Sequence, residues 1–276
     1  MARLAIYAHF DADRRVRPYV LHALQSLRAL SDRLVFVSTA GLPEGELAKV
    51  DALVDRSLAC ENRGYDFAMW QAALRTVDAR SYDELVLLNS SVLGPIVPLA
   101  PIFERMAARP DVDFWGATEC TTFAPHLQSY FLVMKTRVLH SEPFRAFFES
   151  VLPYRDKLQV IRSYDIGLTR FLVDEGFRYD AIVDDRALGR ALRRGRLGRE
   201  PLGPLHAAVR TANAWRWYFE RLNPTLLWPI ELVTLGVPFM KLEHFRTNPL
   251  RIRRERFVTA LGELGYPREL LEDLPR

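Results

Sequence analysis

The chain has 276 residues, 49% of them hydrophobic and 26% charged, so it is neither disordered nor fibrous. It has room for one α/β domain and a shorter appendage. Two distant cysteines, Cys60 and Cys120, build neither a disulfide framework nor a cysteine-based zinc site, which fits a reducing compartment. The net charge of +4 conceals an asymmetry: residues 186–276 hold 17 Lys and Arg against 9 Asp and Glu, and the first 185 hold 21 against 25. Such a basic C-terminal region suits an anionic partner such as a phospholipid surface, or else a set of solvated helix faces. Nucleic acid is disfavoured, because no helix-turn-helix, zinc-finger or RNA-binding aromatic motif accompanies the arginines. The opening MARLAIYAHFDADRR has charge where a signal peptide has its apolar core, so a cytoplasmic protein is expected. The apolar stretch Leu226–Met240 is too short to span a bilayer and contains Glu231 and two prolines.

In chain order, Leu4–Phe10 reads as a buried strand and Arg17–Leu30 as a helix, with Val20, Leu21, Leu24 and Leu27 at helical spacing. Leu34–Val37 is a second strand. Pro43 opens a helix, and Ala52–Ser57 reads as a weak third strand. A turn at Asn62-Arg63-Gly64 leads into a helix from about Phe67 to Val77. Leu85–Leu88 is a fourth strand, apolar on both faces. Helix, strand and helix follow around Ile102–Met106, Phe114–Ala117 and Phe144–Phe148, and the segment starting at His126 introduces a sixth strand. A further helix carries Ile166, Leu168, Phe171 and Leu172. The alternation predicts a mostly parallel sheet with helices on both faces. The Arg- and Gly-rich run Arg186–Pro204 is the best boundary, giving an α/β domain over 1–185 and a basic helical extension, rich in Trp and Pro, over 186–276.

Ligands of open α/β sheets bind outside the carboxyl ends of the strands. Polar residues follow every predicted strand: His9 and Asp11, Ser38 and Thr39, then Glu61 to Asp66, then Asn89-Ser90-Ser91, then Thr118 and Glu119, with His126, Gln128 and Ser129 preceding the sixth. Together they point to one polar pocket. Gly64 permits a tight turn and close backbone approach, Asn62 both donates and accepts, and Arg63 suits a phosphate. Asp66 is either a ligand contact or a helix N-cap. Trp70 lies at helical spacing and reads as core; Trp115 reads equally as core or as an aromatic platform at the pocket. Trp215 and Trp217, set among arginines, suit packing between domains or a membrane interface. Asp184-Asp185 reads as a loop or cap.

The segments YAHFD, ENRGYDFAMWQAAL, YDELVLLNSSVLGP, DVDFWGAT, HLQSYFLVMK and SYDIGLT occur in the order seen in the rhamnan synthesis protein F family, and NPTLLWPIELVTLGVPFMK followed by NPLRI resembles its C-terminal region. The resemblance implies a glycosyltransferase of the GT-A type that takes a nucleotide sugar, with L-rhamnose from dTDP-rhamnose as the donor that the family suggests. It places Asn62-Arg63-Gly64 and Asn89-Ser90-Ser91 at donor-site positions; the strand-end residues His9, Asp11, Ser38 and Asp66 are then expected to join Asn89 and Ser91 on the donor, with Trp115, Gln128 and Ser129 on the acceptor side. The late Tyr164-Asp165-Ile166-Gly167 segment takes the place of the catalytic carboxylate of inverting transferases. Asp165 is therefore either base or N-cap, and His126 is the rival base. Asn89-Ser90-Ser91 stands where a GT-A enzyme carries an acidic metal motif. An amide and hydroxyls are poor ligands for Mg or Mn, so a metal is disfavoured; Asp11 or Asp66 would hold it if one is used. The expected acceptor is a glycan or lipid-linked glycan near the inner membrane face. A donor built on UDP or GDP, or a non-catalytic sugar-binding subunit, are the alternatives.

Overall fold

The computed structural model describes residues 1–193, 223–249 and 251–274. Strands β1 (Arg3–His9), β2 (Arg33–Ser38), β3 (Arg56–Ala59) and β4 (Glu84–Asn89) run parallel in the order β3-β2-β1-β4. The short β5 (Val92–Leu93) follows β4. The sheet continues through β6 (Phe114–Cys120), β7 (His126–Leu127), β8 (Phe131–Lys135) and β9 (Tyr179–Val183): β8 lies between β4 and β6, antiparallel to both, and β9 runs parallel to β6. The expected α/β sheet, mostly parallel, is thus what the chain forms. The reversal at β8 has a simple cause: the connection 121–130 carries no helix and is too short for a parallel crossover.

β1, β2 and β4 are buried almost end to end because each face meets a different core. Leu85 and Leu87 of β4 face Phe67, Trp70, Phe144 and Leu172, while Val86 and Leu88 face Val20, Leu24 and Phe103. Such strands read as continuous apolar runs without alternation. β3 starts later than the sequence suggested. Asp55 accepts the Leu34 N–H at 2.7 Å and pairs with Arg28, which holds residues 52–55 as a turn after the helix Glu44–Asp51.

The described C-terminal residues share the core on the Val86 and Leu88 face: Trp228, Leu232, Phe239, Phe257 and Leu261 pack with Val86, Trp115 and Phe131. β10 (Met240–Lys241) pairs antiparallel with β5, Lys241 opposite Val92, and Arg17 reaches Asp273 at 3.0 Å. Trp215, Trp217 and much of the basic run after Arg193 lie outside the described residues. Among the described residues, no helix is long and apolar enough to cross a membrane.

Candidate active site

Five segments deliver polar groups beyond the carboxyl end of β4. The turn after β4 is cross-linked internally: Asn89 Oδ1 accepts both the Ser91 N–H at 3.0 Å and the Ser91 hydroxyl at 2.5 Å. Asn89 Nδ2 donates to Asp66 Oδ2 at 2.6 Å. From the C-terminal region, Lys241 Nζ donates to Ser91 Oγ at 3.2 Å and lies 4.7 Å from the centre of the Tyr130 ring. An unbroken, unidirectional chain of hydrogen bonds therefore runs from the Lys241 ammonium through Ser91 and Asn89 to the Asp66 carboxylate, each link polarising the next.

Asp66 does not cap its helix. The cap position of Tyr65–Leu74 belongs to Gly64, in the left-handed region at φ 77°, and Asp66 lies in the first turn. Burial pushes its carboxyl up to about 6, with Asp165 adding to the rise while Lys241 and the Asn89 hydrogen bond oppose it. Asp165 is not a cap either. Ile161–Asp165 forms a π-helical turn inserted between Lys157–Val160 and Ile166–Asp174, so Asp165 sits within a continuous helical path. Such wide turns re-aim side chains. Asp165 Oδ1 accepts the Ser129 N–H at 2.8 Å, and Oδ2 lies 4.0 Å from His126 Nε2. His126 Nδ1 is 2.7 Å from the Ala124 carbonyl oxygen, which only accepts, so Nδ1 carries the proton of the neutral ring. Its Nε2 lone pair and the Asp165 oxygen thus face one another as two acceptors, either of which can take the proton of a hydroxyl placed there.

Most of the other expected site residues have partners outside this cluster. Asn62 and Arg63 lie exposed on the loop after β3, where Arg63 pairs with Glu61 at 3.2 Å. Gly64 is required by packing: a Cβ there would lie 2.6 Å from Ala68 Cβ and 2.8 Å from Pro153 Cα. His9 and Ser38 are buried against each other at 2.9 Å, and burial pulls His9 down to about 4, with Asp11 opposing. Asp11 is committed elsewhere. One oxygen takes the Asp13 N–H at 2.8 Å, and the other takes Arg17 Nε at 2.6 Å. Gln128 is buried and bridges Thr118 at 2.8 Å to Asn223 at 3.1 Å, anchoring the C-terminal region to the sheet. Ser129 contributes its backbone N–H. Trp115 departs from its platform reading: it is 0% exposed, edge-on to Phe103 at 5.1 Å and to Phe131 at 5.6 Å, because β6 is interior and Trp115 points into the core. Trp70 is core, and Asp184 caps the helix Asp185–Arg193 by accepting the Ala187 N–H.

Lys241 was not anticipated. Its signal was compositional: the chain has only four lysines among its 38 basic residues, and one of them ends the GVPFMK segment. The donor set is a poor match for a divalent cation. Asn89 Oδ1 is already doubly engaged, Asp11 is paired with Arg17, and the Lys241 ammonium is the cation at this turn. Among the described residues no group of three His, Cys, Asp or Glu is placed to hold a metal.

A mostly parallel α/β sheet with a polar cluster outside its strand ends defines the fold class. The family model described as rhamnan synthesis protein F matches residues 34–195, and the chain belongs to that family. It is 28% identical over 149 residues to the uncharacterized protein y4gN of Sinorhizobium fredii. That match covers 52% of this chain and 39% of the relative, well under two thirds of its length. Among solved structures, the fold is similar to a nucleotidyl transferase from Methanothermobacter thermautotroptrophicus (11% identity, 68% of this chain and 89% of that one, TM-score 0.43). It is also similar to glucosyl-3-phosphoglycerate synthase from Mycobacterium tuberculosis (10% identity, 50% of this chain and 58% of that one, TM-score 0.37).

Proposed function

We propose that the protein is a glycosyltransferase that takes a nucleotide-activated sugar and passes it, with inversion, to a glycan or lipid-linked glycan. The observation that carries this reading is the convergence of Asp66, Asn89, Lys241, Asp165 and His126 at one strand edge, where one ammonium interacts with two carboxylates. The family description favours L-rhamnose, from dTDP-rhamnose, as the sugar. The basic region after residue 186 favours an acceptor on an anionic membrane surface at the cytoplasmic face.

In this reading an acceptor hydroxyl enters the gap between His126 Nε2 and Asp165 Oδ2. Its oxygen attacks the anomeric carbon and forms the new C–O bond. The bond from that carbon to the nucleotide diphosphate breaks, its electron pair leaving on the diphosphate, and the hydroxyl proton passes to Asp165. His126, its Nδ1–H held by the Ala124 carbonyl, presents a lone pair at Nε2 and is the alternative acceptor of that proton. The Ser129 N–H fixes the carboxylate.

The test uses the full chain with dTDP-rhamnose, UDP-glucose and GDP-mannose, following nucleotide release and binding by calorimetry. Asp165→Asn is expected to lower turnover about 10²- to 10⁴-fold while leaving donor affinity unchanged. Failure of every donor to bind, or undiminished turnover in Asp165→Asn, refutes the proposal.

A further inference from the structure

Lys241 stands out among the groups that the proposed chemistry leaves unassigned. Its ammonium donates one hydrogen bond, to Ser91, and rests on the Tyr130 ring. The side chain is half-buried, and among the described residues no carboxylate comes within ion-pair distance of it. Burial lowers its proton affinity below that of a free lysine, and Asp165 and Asp66 lie close enough to oppose that fall. A diphosphate brought to this turn adds negative charge and reinforces the protonated form.

Its position is firmly built. β10 is paired to β5, the Leu242 N–H donates to the Ser91 carbonyl at 3.0 Å, and the Ile96 N–H donates to the Pro238 carbonyl at 2.8 Å. The strand therefore carries the lysine to the turn after β4 with little freedom. The residue type is also informative. In a chain whose basic residues are otherwise almost all arginine, a compact ammonium able to turn its three donors has been placed here.

Resting on the glycosyltransferase reading, we propose that the Lys241 ammonium binds the diphosphate of the nucleotide sugar directly and stabilises it as it departs, supplying at the Asn89–Ser91 turn the positive charge that a bound divalent cation would otherwise provide. When the bond from the anomeric carbon to the diphosphate breaks, the developing charge on the leaving oxygen meets Lys241 N–H donors. No proton is transferred from the ammonium, and the acceptor proton goes to Asp165. The Ser91–Asn89–Asp66 chain holds the lysine in place.

The experiment measures binding of dTDP, UDP, GDP and inorganic pyrophosphate to the full chain by calorimetry, once in EDTA and once with Mg²⁺ or Mn²⁺. It is repeated on Lys241→Met and Lys241→Arg, with melting temperatures as a check on folding. The expected result is nucleoside diphosphate binding in EDTA that Lys241→Met weakens about 10- to 100-fold. Lys241→Arg is expected to retain most of it, and affinity for the matching unphosphorylated nucleoside is expected to stay unchanged in both variants. Binding that appears only with divalent cation, or that Lys241→Met leaves intact, overturns this inference and leaves the transferase reading standing. If Lys241→Met does not fold, the wild-type comparison decides: a tenfold or greater gain from the metal overturns the proposal. If no nucleotide or pyrophosphate binds under either condition, the transferase reading fails, and this inference with it.

Discussion

Asp66→Asn provides a quantitative check on the electrostatics of the site. Burial raises the Asp66 carboxyl from an ordinary 3.8 to about 6, so the folded protein holds the proton more tightly than the unfolded chain. The sign follows: neutral Asp66 suits the fold, this contribution is complete below about pH 4, and it is lost as pH rises through about 6. At about 1.4 kcal/mol per pH unit, ionising Asp66 costs the folded state about 3 kcal/mol at pH 8, an upper figure because the residue is partly exposed. Asparagine at this position keeps an oxygen for Asn89 Nδ2 and cannot ionise. Urea unfolding of wild type and Asp66→Asn is therefore expected to give nearly equal stabilities below about pH 4, with the variant gaining up to about 3 kcal/mol by pH 8, most of it between about pH 4 and 6. A difference that does not change with pH, or a variant less stable than wild type at pH 8, would refute the reasoning.

Two further outcomes probe other parts of the molecule. Gly64→Ala is expected to cost about 2 to 5 kcal/mol in urea unfolding, since its Cβ meets the Pro153 backbone and Ala68 at a positive φ; a loss below about 0.5 kcal/mol contradicts that packing. The full chain is expected to float with vesicles containing phosphatidylglycerol and not with pure phosphatidylcholine, and to be released by high salt. Flotation that ignores lipid charge reduces the basic C-terminal region to solvated surface.

Local chemistry in the sequence carried the central strands and the edge of the sheet at which the residues after them lie. β1, β2 and β4 are read correctly because strands buried on both faces leave uninterrupted apolar runs, and the residues after them must then lie at the carboxyl edge. Other features depended on partners distant in the chain. Asp66 and Asp165 both look like helix caps in sequence, and only the neighbours that each meets, Asn89 for one and Ser129 with His126 for the other, separate a carboxylate of the polar cluster from a cap. Trp115 and Gln128 have the residue types of a sugar site, yet the interior position of β6 and the return of the chain at Asn223 commit both to structure. Lys241 lies 150 positions from Ser91, and no periodicity or spacing in a single sequence relates the two. Their contact exists because β10 pairs with β5, and strand pairing between distant segments is settled by the burial and hydrogen bonding of the whole fold.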